Sequence, residues 1–270
     1  MPLGNLNYDH PIRVAEGIYW VGVHEPEEKL HCNAYLVVDG EQAVVIDSGS
    51  RPSFAGVMMK ILEVGVHPDQ ITGLIYQHYD PDLCGSIPNF LDLCGHPGLR
   101  IYSFASNNIF LQHYVERSRH SLLVDLESVG ERLTLQTRSL QTVPTPYTHA
   151  AGSFVTFDDL TRTLFTGDLF GSFSSQWNLF LDLNEECFTC TEYRNCPRHA
   201  GYCPIPEFLE FHRRVMPCNK ALHRAVDIVK GLAAEILAPQ HGSVIRRTKD
   251  LAFCLAQLGK LQDVGVDGLK

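Results

Sequence analysis

The chain alternates between short apolar runs and polar turns, and the lengths of the runs indicate a mixture of strands and helices. Short apolar runs predict strands at residues 12–14, 18–21, 33–38, 43–46, 71–76, 100–103, 132–136, 139–143, 153–157, 163–166 and 235–238. Longer stretches predict helices at residues 52–64, 86–93, 104–115, 208–215, 220–229 and 248–261. These elements fall into two comparable halves, so we expect an α/β fold with two packed mixed sheets and helices outside them.

Turn residues divide these elements cleanly. Asp39-Gly40 lies between two predicted strands, where this dipeptide favours a tight hairpin turn. Pro52 stands near the start of the first predicted helix and Gly65 just past its end. No repeat, low-complexity tract or linker interrupts the pattern, so we expect residues 1–270 to form one domain.

The composition narrows the range of partners. With a net charge of −9 over 270 residues, the chain is not expected to bind nucleic acid or an anionic membrane surface. No apolar run approaches the ~20 residues that span a bilayer. The first residues lack both the basic start and the apolar core of a secretory signal, so a cytoplasmic location is expected.

Four loops carry side chains that could bind metal, each after a predicted strand. His78, Asp80 and Asp82 follow the strand at residues 71–76, and alternate side chains of an extended segment point the same way. The other three loops place His149 before Gly152-Ser153, Asp168 directly after Gly167, and His241 directly before Gly242. Three imidazoles and three carboxylates in such contexts favour a metal site over scattered surface residues.

In these motifs the sequence resembles the metallo-β-lactamase superfamily, and within it the diiron branch of flavodiiron proteins and oxygen-binding diiron proteins. The branch has a His-x-Glu-x-Asp cluster, a lone His, a Gly-Asp after a strand and a His-Gly near the C-terminus, in this order. The resemblance also covers residues 33–38, 45–49 and 216–222 and most of the chain outside residues 172–206. It implies a metallo-β-lactamase-like αββα sandwich that holds two irons.

The resemblance also implies the ligands. One iron would be held by His78, Asp80 and His149, the other by Asp82 and His241, and Asp168 would bridge both. Two departures stand out. Asp80 replaces a Glu that reaches one carbon further, and Leu83 replaces a His that is variably used as a ligand, which leaves the second iron one protein ligand short.

Three further residues near these motifs are read as supporting or surface residues. Asp47 is expected to order the adjacent turns, or to support a metal ligand, rather than to bind metal itself. His24 and His31 lie in a loop that could face the pocket, and a surface position is the favoured interpretation for both. Five isolated cysteines are interpreted as buried thiols: Cys32, Cys84, Cys94, Cys218 and Cys254.

A cysteine-rich insertion is predicted at about residues 172–206. Cys187, Cys190, Cys196 and Cys203 crowd together, and four thiolates at this spacing could hold zinc or a [4Fe–4S] cluster. Spacing alone does not separate these two, and a loop of reduced thiols or disulfides is the alternative. The insertion follows Asp168 in the chain, so an electron relay or redox sensor is a further hypothesis.

Two classes of function follow. The first is a non-haem diiron protein that binds O2, NO or peroxide, as a gas or redox sensor or as a reductase with an external electron source. No flavin is expected in the chain, because the flavodoxin domain of flavodiiron proteins has no counterpart here. A redox or signalling partner and a homodimer are expected, and the chain could be part of a longer protein. The alternative is a binuclear zinc hydrolase of thioesters, phosphodiesters or lactones, which the Asp80 and Leu83 departures disfavour.

Overall fold

The elements below come from a computed structural model that describes residues 6–25, 27, 30–173, 176–191, 193 and 202–269. In this part of the chain the strands are β1 Ile12–Ala15, β2 Ile18–Trp20, β3 Tyr35–Asp39, β4 Gln42–Ile46, β5 Ile71–Ile75, β6 Arg100–Ser103, β7 Leu123–Asp125, β8 Arg132–Thr134, β9 Ser139–Pro144, β10 Phe154–Asp158, β11 Thr163–Phe165 and β12 Ile236–Ala238. The α-helices are α1 Phe54–Glu63, α2 Pro81–Cys84, α3 Ile87–Leu93, α4 Ala105–Leu111, α5 Pro204–Val215, α6 Asn219–Gly231 and α7 Thr248–Gly259.

Most of the predicted elements are confirmed within a few residues, and two elements were missed. Strand β7 has three partly buried residues and little periodic signal. Helix α2 is one turn, and the sequence pattern predicted extended chain there. The helix predicted at residues 104–115 ends at Leu111 and continues as the 3₁₀ turn Gln112–Tyr114.

Both sheets are mixed, as predicted. The first has the order β1-β2-β3-β4-β5-β6-β7, antiparallel from β1 to β4 and parallel from β4 to β7. The second has the order β12-β11-β10-β9-β8, with β12 and β11 parallel and β9 and β8 antiparallel. Parallel strands require crossover connections, and α1 supplies the one between β4 and β5.

Contacts divide the chain into two compact units. The first comprises residues 1–25, 32–143 and 158–161, and the second comprises residues 26–31, 144–157 and 162–270. The sequence predicted that residues 1–270 form one domain, and this stays a prediction.

The first unit has a continuous apolar core beneath its sheet. Alternate residues of β3 and β4, such as Leu36 and Val45, pack in it with Val57 and Ile61 of α1. Their positions on α1, four residues apart, put both side chains on one helix face. Burial of this face holds α1 against the sheet. The first candidate ligands follow β5, the strand that comes after α1 in the chain.

The second unit contains the parallel pair β11 and β12. Phe165 lies opposite Ala238, and the Thr166 N–H donates to the Ala238 carbonyl at 3.1 Å. Just past the strand ends, the Gln240 N–H donates to the Gly167 carbonyl at 2.8 Å. Because parallel strands end at the same edge, the loops that carry Asp168 and His241 leave this sheet side by side.

Within the described ranges, no helix combines the length and the apolar character that a bilayer-crossing segment needs.

Candidate metal centre

In the second unit, two imidazoles face the two oxygens of one carboxylate. His149 Nε2 lies 3.1 Å from Asp168 Oδ2, and His241 Nε2 lies 3.5 Å from Asp168 Oδ1. Asp168 is 3% exposed and His241 is 4% exposed, so water screens this group poorly. One donor nitrogen beside each oxygen is the arrangement of a carboxylate that can join two cations.

The loop that carries His149 is held by its own hydrogen bonds. The Thr145 N–H donates to the Ser153 carbonyl, and the Ala150 N–H donates to Ser153 Oγ at 3.1 Å. Thr148 Oγ1 donates to the Thr145 carbonyl at 2.7 Å. These bonds close the loop on both sides of His149, which reduces the conformations that the imidazole can adopt.

His241 is oriented through its second nitrogen. Nδ1 lies 3.0 Å from the His31 carbonyl oxygen, which can only accept, so Nδ1 carries the proton. Nε2 is then the nitrogen that faces Asp168. The carbonyl–histidine pair is the usual support of a metal-binding imidazole.

His31 and Trp177 anchor this arrangement. The His31 ring stacks on the Trp177 ring with centroids 4.8 Å apart, and Trp177 Nε1 donates to the Gly242 carbonyl at 3.0 Å. His31 is 4% exposed, so the expectation of a surface position was wrong. Trp177 lies 146 positions away in the chain, so no local sequence pattern indicates that His31 is buried. For His24, the other histidine of this loop, the structure gives partial exposure and a tilted contact with the Tyr8 ring.

A buried histidine that the sequence did not point to supports the Asp168 loop. His212 Nε2 accepts a hydrogen bond from the Phe170 N–H at 3.0 Å, and Nδ1 donates to the Phe208 carbonyl at 2.7 Å. Burial lowers the pKa of His212 to about 4, although the nearby Asp168 raises it. The neutral ring therefore holds the backbone two residues after Asp168. Its helical spacing in α5 looks like that of an ordinary core residue, so no sequence signal marked it.

In the first unit, the extended geometry expected for the first ligand group was wrong. Asp80 is the N-cap residue of α2, and Asp82 lies in the first turn of this helix after Pro81. Proline is favoured at the first helical position because its φ angle is already helical and its missing N–H needs no partner there. The three side chains therefore leave the chain from a turn and a short helix, not from alternate positions of a strand.

His78 and Asp80 nevertheless lie close together. His78 Nε2 is 4.0 Å from Asp80 Oδ2, with the imidazole almost completely buried and the carboxylate 39% exposed. Asp47, just past β4, accepts a hydrogen bond from the Gln77 N–H at 3.0 Å. This bond holds the backbone of the residue before His78, which confirms the ordering role predicted for Asp47.

Asp82, the third candidate ligand in the first unit, has two neighbours that bear on metal binding. Leu83 is completely buried in the apolar core of the first unit, so this position does not offer a donor. Cys32 Sγ lies 3.4 Å from Asp82 Oδ2. Cys32 is partly exposed, and so is Cys218, whereas burial was predicted for both. The prediction of buried thiols is confirmed for Cys84, Cys94 and Cys254.

The cysteine-rich insertion is only partly described. Cys196 lies outside the described residues, so the prediction of a four-cysteine site is not tested. Burial raises the pKa of Tyr193, and the nearby Cys190, Cys203 and Cys187 raise it further. In the described residues no disulfide joins these cysteines, and they form no group of three closely spaced donors.

Comparison with known proteins identifies the family. The family model described as "ODP family beta lactamase" matches residues 30–242, and the chain belongs to this family. The match includes all six predicted ligands. The fold is metallo-β-lactamase-like, with two mixed sheets and helices, as the sequence predicted.

Two relatives illustrate the relationship. The "Type A flavoprotein fprA" of Rhodobacter capsulatus is 28% identical over 251 residues, which are 87% of this chain and 52% of the relative. The "Nitric oxide reductase" of Moorella thermoacetica is 24% identical over 252 residues, which are 88% of this chain and 58% of the relative. The chain therefore spans little more than half the length of these relatives.

A solved structure matches over nearly its whole length. It is described as the "Peroxy diiron species of chemotaxis sensor ODP", and it aligns with a TM-score of 0.74 and 23% identity over 95% of this chain and 96% of the sensor chain. At this identity the likeness establishes the fold.

Proposed function

We propose that this chain is a non-haem diiron protein that binds O2, NO or peroxide. The observation that carries the proposal is the pair of imidazole nitrogens, one beside each oxygen of Asp168. A lone structural carboxylate needs one partner, whereas a bridging carboxylate needs a donor set on each side. Family membership adds support, since the related structures and relatives carry names such as peroxy diiron sensor and nitric oxide reductase.

The donor set fits iron. In the proposal, His78, Asp80 and His149 hold one ion, Asp82 and His241 hold the other, and Asp168 joins them. Two imidazoles with one carboxylate are a common non-haem iron(II) set that leaves positions open for a small ligand. The pair of irons, when bound, supplies reversible electron transfer and vacant coordination positions.

The protein's own contribution is to orient these donors. The His31 carbonyl fixes the proton of His241 on Nδ1, and the loop bonds around His149 limit its rotation. His212 and Asp47 hold the backbone beside Asp168 and His78, respectively. Burial of Asp168 and His78 keeps water from competing for the donors.

Within this class we favour gas or redox sensing over reductase activity. The match to the chemotaxis sensor covers nearly the whole sensor chain, which agrees with a binding role. Reduction of O2 or NO with electrons from a separate protein is the second possibility within the class. A signalling partner, a homodimer and a cytoplasmic location belong to the proposal as well.

Metal content and gas binding test this proposal. Protein produced with ample iron should contain two irons per chain, and the reduced form should change its visible spectrum when O2 or NO is added. Purification without oxygen and reconstitution of metal-free protein with iron(II) or zinc control for metal loss and mismetallation. Two zincs together with hydrolysis of a thioester, phosphodiester or lactone would overturn the diiron proposal in favour of a zinc hydrolase.

The cysteine-rich segment is a separate proposal. We infer from the spacing of Cys187, Cys190, Cys196 and Cys203 that it holds zinc or a [4Fe–4S] cluster. In the variant Cys190→Ala, loss of one ligand should lower total metal and, for a cluster, visible absorbance. The matched control is Cys254→Ala, which removes a buried thiol of α7. Unchanged metal and absorbance in Cys190→Ala would remove this proposal.

A further inference from the structure

The neighbour of Asp82 is a thiol, and this contact has no place in the ligand set inferred from the family. Cys32 Sγ lies 3.4 Å from Asp82 Oδ2, and the two residues are 50 positions apart in the chain. Both side chains are partly exposed, so the contact is not a tightly packed core interaction. A thiol and a carboxylate at this distance are either a hydrogen-bonded pair or two donors to one cation.

The ion assigned to Asp82 is the one that lacks a protein ligand. The family's variable histidine position is Leu83 here, and its side chain belongs to the apolar core of the first unit. The ion that takes Asp82 and His241 therefore has one donor fewer than its neighbour. Cys32 Sγ, 3.4 Å from Asp82 Oδ2, is within reach of a cation that Asp82 binds.

The local chain favours a fixed position for Cys32. His31, the preceding residue, is buried, stacks on Trp177 and accepts the Nδ1–H of His241 through its carbonyl. Two residues after Cys32, Ala34 is buried and its carbonyl accepts from the Val21 N–H at 2.9 Å. Cys32 thus lies between two anchored positions, which limits the entropy lost when its side chain binds an ion.

We propose that Cys32 is a thiolate ligand of the metal ion that Asp82 holds, in place of the histidine that the family has at Leu83. The inference rests on the proposed metal centre. On binding, the Sγ–H bond breaks, a sulfur–metal bond forms and the proton leaves to solvent, because the thiolate and not the thiol is the ligand. The two anionic donors, Cys32 and Asp82, then share the charge of one cation instead of one proton.

A sulfur ligand makes the two ions unequal. The ion of His78, Asp80 and His149 has only nitrogen and oxygen donors, whereas the other ion has a soft, electron-rich sulfur. Ligand type sets the redox potential and the affinity of a metal site. The two ions, when bound, should therefore differ in affinity and in redox potential.

X-ray absorption at the iron and zinc edges tests for the sulfur, alongside metal counts and visible spectra of the oxidised protein. The variants Cys32→Ser and Cys32→Ala should lose a sulfur-to-metal signature that the wild type shows. In chelator competition, both variants should also bind the ion that Asp82 holds on the order of 10- to 100-fold less tightly than the wild type. Cys32→His should restore the affinity without the sulfur signature, because an imidazole replaces the thiolate.

Two controls separate this sulfur from others. Cys218→Ser removes a partly exposed thiol before α6, and Cys190→Ala removes one from the cysteine-rich segment. Both should keep the Cys32-dependent part of the signal. Near-identical far-ultraviolet circular dichroism of the metal-free variants should show that Cys32→Ser folds.

The outcomes distinguish this inference from the proposal beneath it. Two irons whose sulfur signal and affinity do not change in Cys32→Ala would overturn the thiolate ligand and leave the diiron centre intact. Two zincs with a Cys32-dependent sulfur signal would overturn the diiron centre and retain the ligand. Protein that binds neither metal under these conditions would overturn both.

Discussion

The two units present their candidate ligands in different ways. In the second unit, His149 and His241 already face the two oxygens of Asp168 at 3.1 and 3.5 Å. In the first unit, His78 and Asp80 are 4.0 Å apart, and this carboxylate is 39% exposed. The second unit thus holds a compact group centred on one buried carboxylate, and the first holds two looser pairs. Buried donors with fixed partners lose less freedom on binding an ion, so the second unit should contribute more of the affinity.

Removal of the central carboxylate should have the largest effect. In Asp168→Ala, each imidazole of the second unit loses the oxygen it faces, and two-metal occupancy should be abolished. Metal analysis after reconstitution with iron(II) measures the effect. Asp159→Ala, which removes an exposed carboxylate beside Arg132, is the matched control and should bind two ions. Unchanged iron content in Asp168→Ala would refute the bridging role.

The second-largest effect on metal affinity should come from His212, which supports the loop after Asp168. In His212→Leu, the Phe170 N–H loses its acceptor and the loop after Asp168 is released. Metal affinity should fall on the order of 10- to 100-fold, as is usual for residues that orient ligands. Chelator competition measures it. His223→Leu, which removes a partly buried histidine of α6 that contacts the Leu261 carbonyl, is the control. Equal affinity in both variants would contradict the orienting role of His212.

The corresponding support in the first unit should have a smaller effect on affinity. In Asp47→Ala, the Gln77 N–H loses its acceptor, and the peptide before His78 becomes less constrained. Since the first-unit ligands are already looser, we expect a decrease of about 10-fold or less in metal affinity. Asp47→Asn keeps an oxygen acceptor and tolerates the positive φ of 52° at this position, so it should bind like the wild type. A larger loss in Asp47→Ala than in His212→Leu would reverse the comparison.

The last prediction concerns the pH dependence of stability and the buried Lys60 of the first unit. Burial lowers the pKa of Lys60 in the first unit to about 8, although Asp9 and Glu63 raise it. Its Nζ donates to the Tyr8 carbonyl at 2.6 Å and lies 4.1 Å from the Trp20 ring centroid. The ordinary pKa of 10.5 applies to the unfolded chain. Between pH 8 and 10.5 the unfolded state therefore binds more protons, and the free energy of unfolding should rise with pH.

The Lys60 contribution can be isolated by substitution. Each unit of the pKa difference is worth about 1.4 kcal/mol, and Lys60→Met should remove this part of the pH slope in denaturant unfolding of the metal-free protein. Lys249→Met replaces an exposed lysine and should keep the slope. A slope identical in wild type and Lys60→Met would show that Lys60 does not titrate in this range.

Much of the candidate site could be predicted from the sequence because each candidate ligand lies in a recognisable local pattern. Asp168 and His241 follow short apolar strands and stand beside glycines, and His78 follows the buried strand β5. The prediction of an extended segment after His78 was wrong, because Pro81 starts a helix that the spacing of the two carboxylates did not indicate. His212 carried no signal, and a surface position was predicted for His31, since their roles depend on partners that are distant in the chain.

The sequence by itself determined the two mixed sheets, the family and the six candidate ligands, because strand periodicity, turn residues and ligand motifs are local features. Only the tertiary structure decided which oxygen of Asp168 each imidazole faces, and which backbone groups hold the loops. It also decided that Leu83 belongs to the core while Cys32 contacts Asp82. The physical reason is that side-chain direction and burial depend on contacts between segments many residues apart, and no local pattern specifies them.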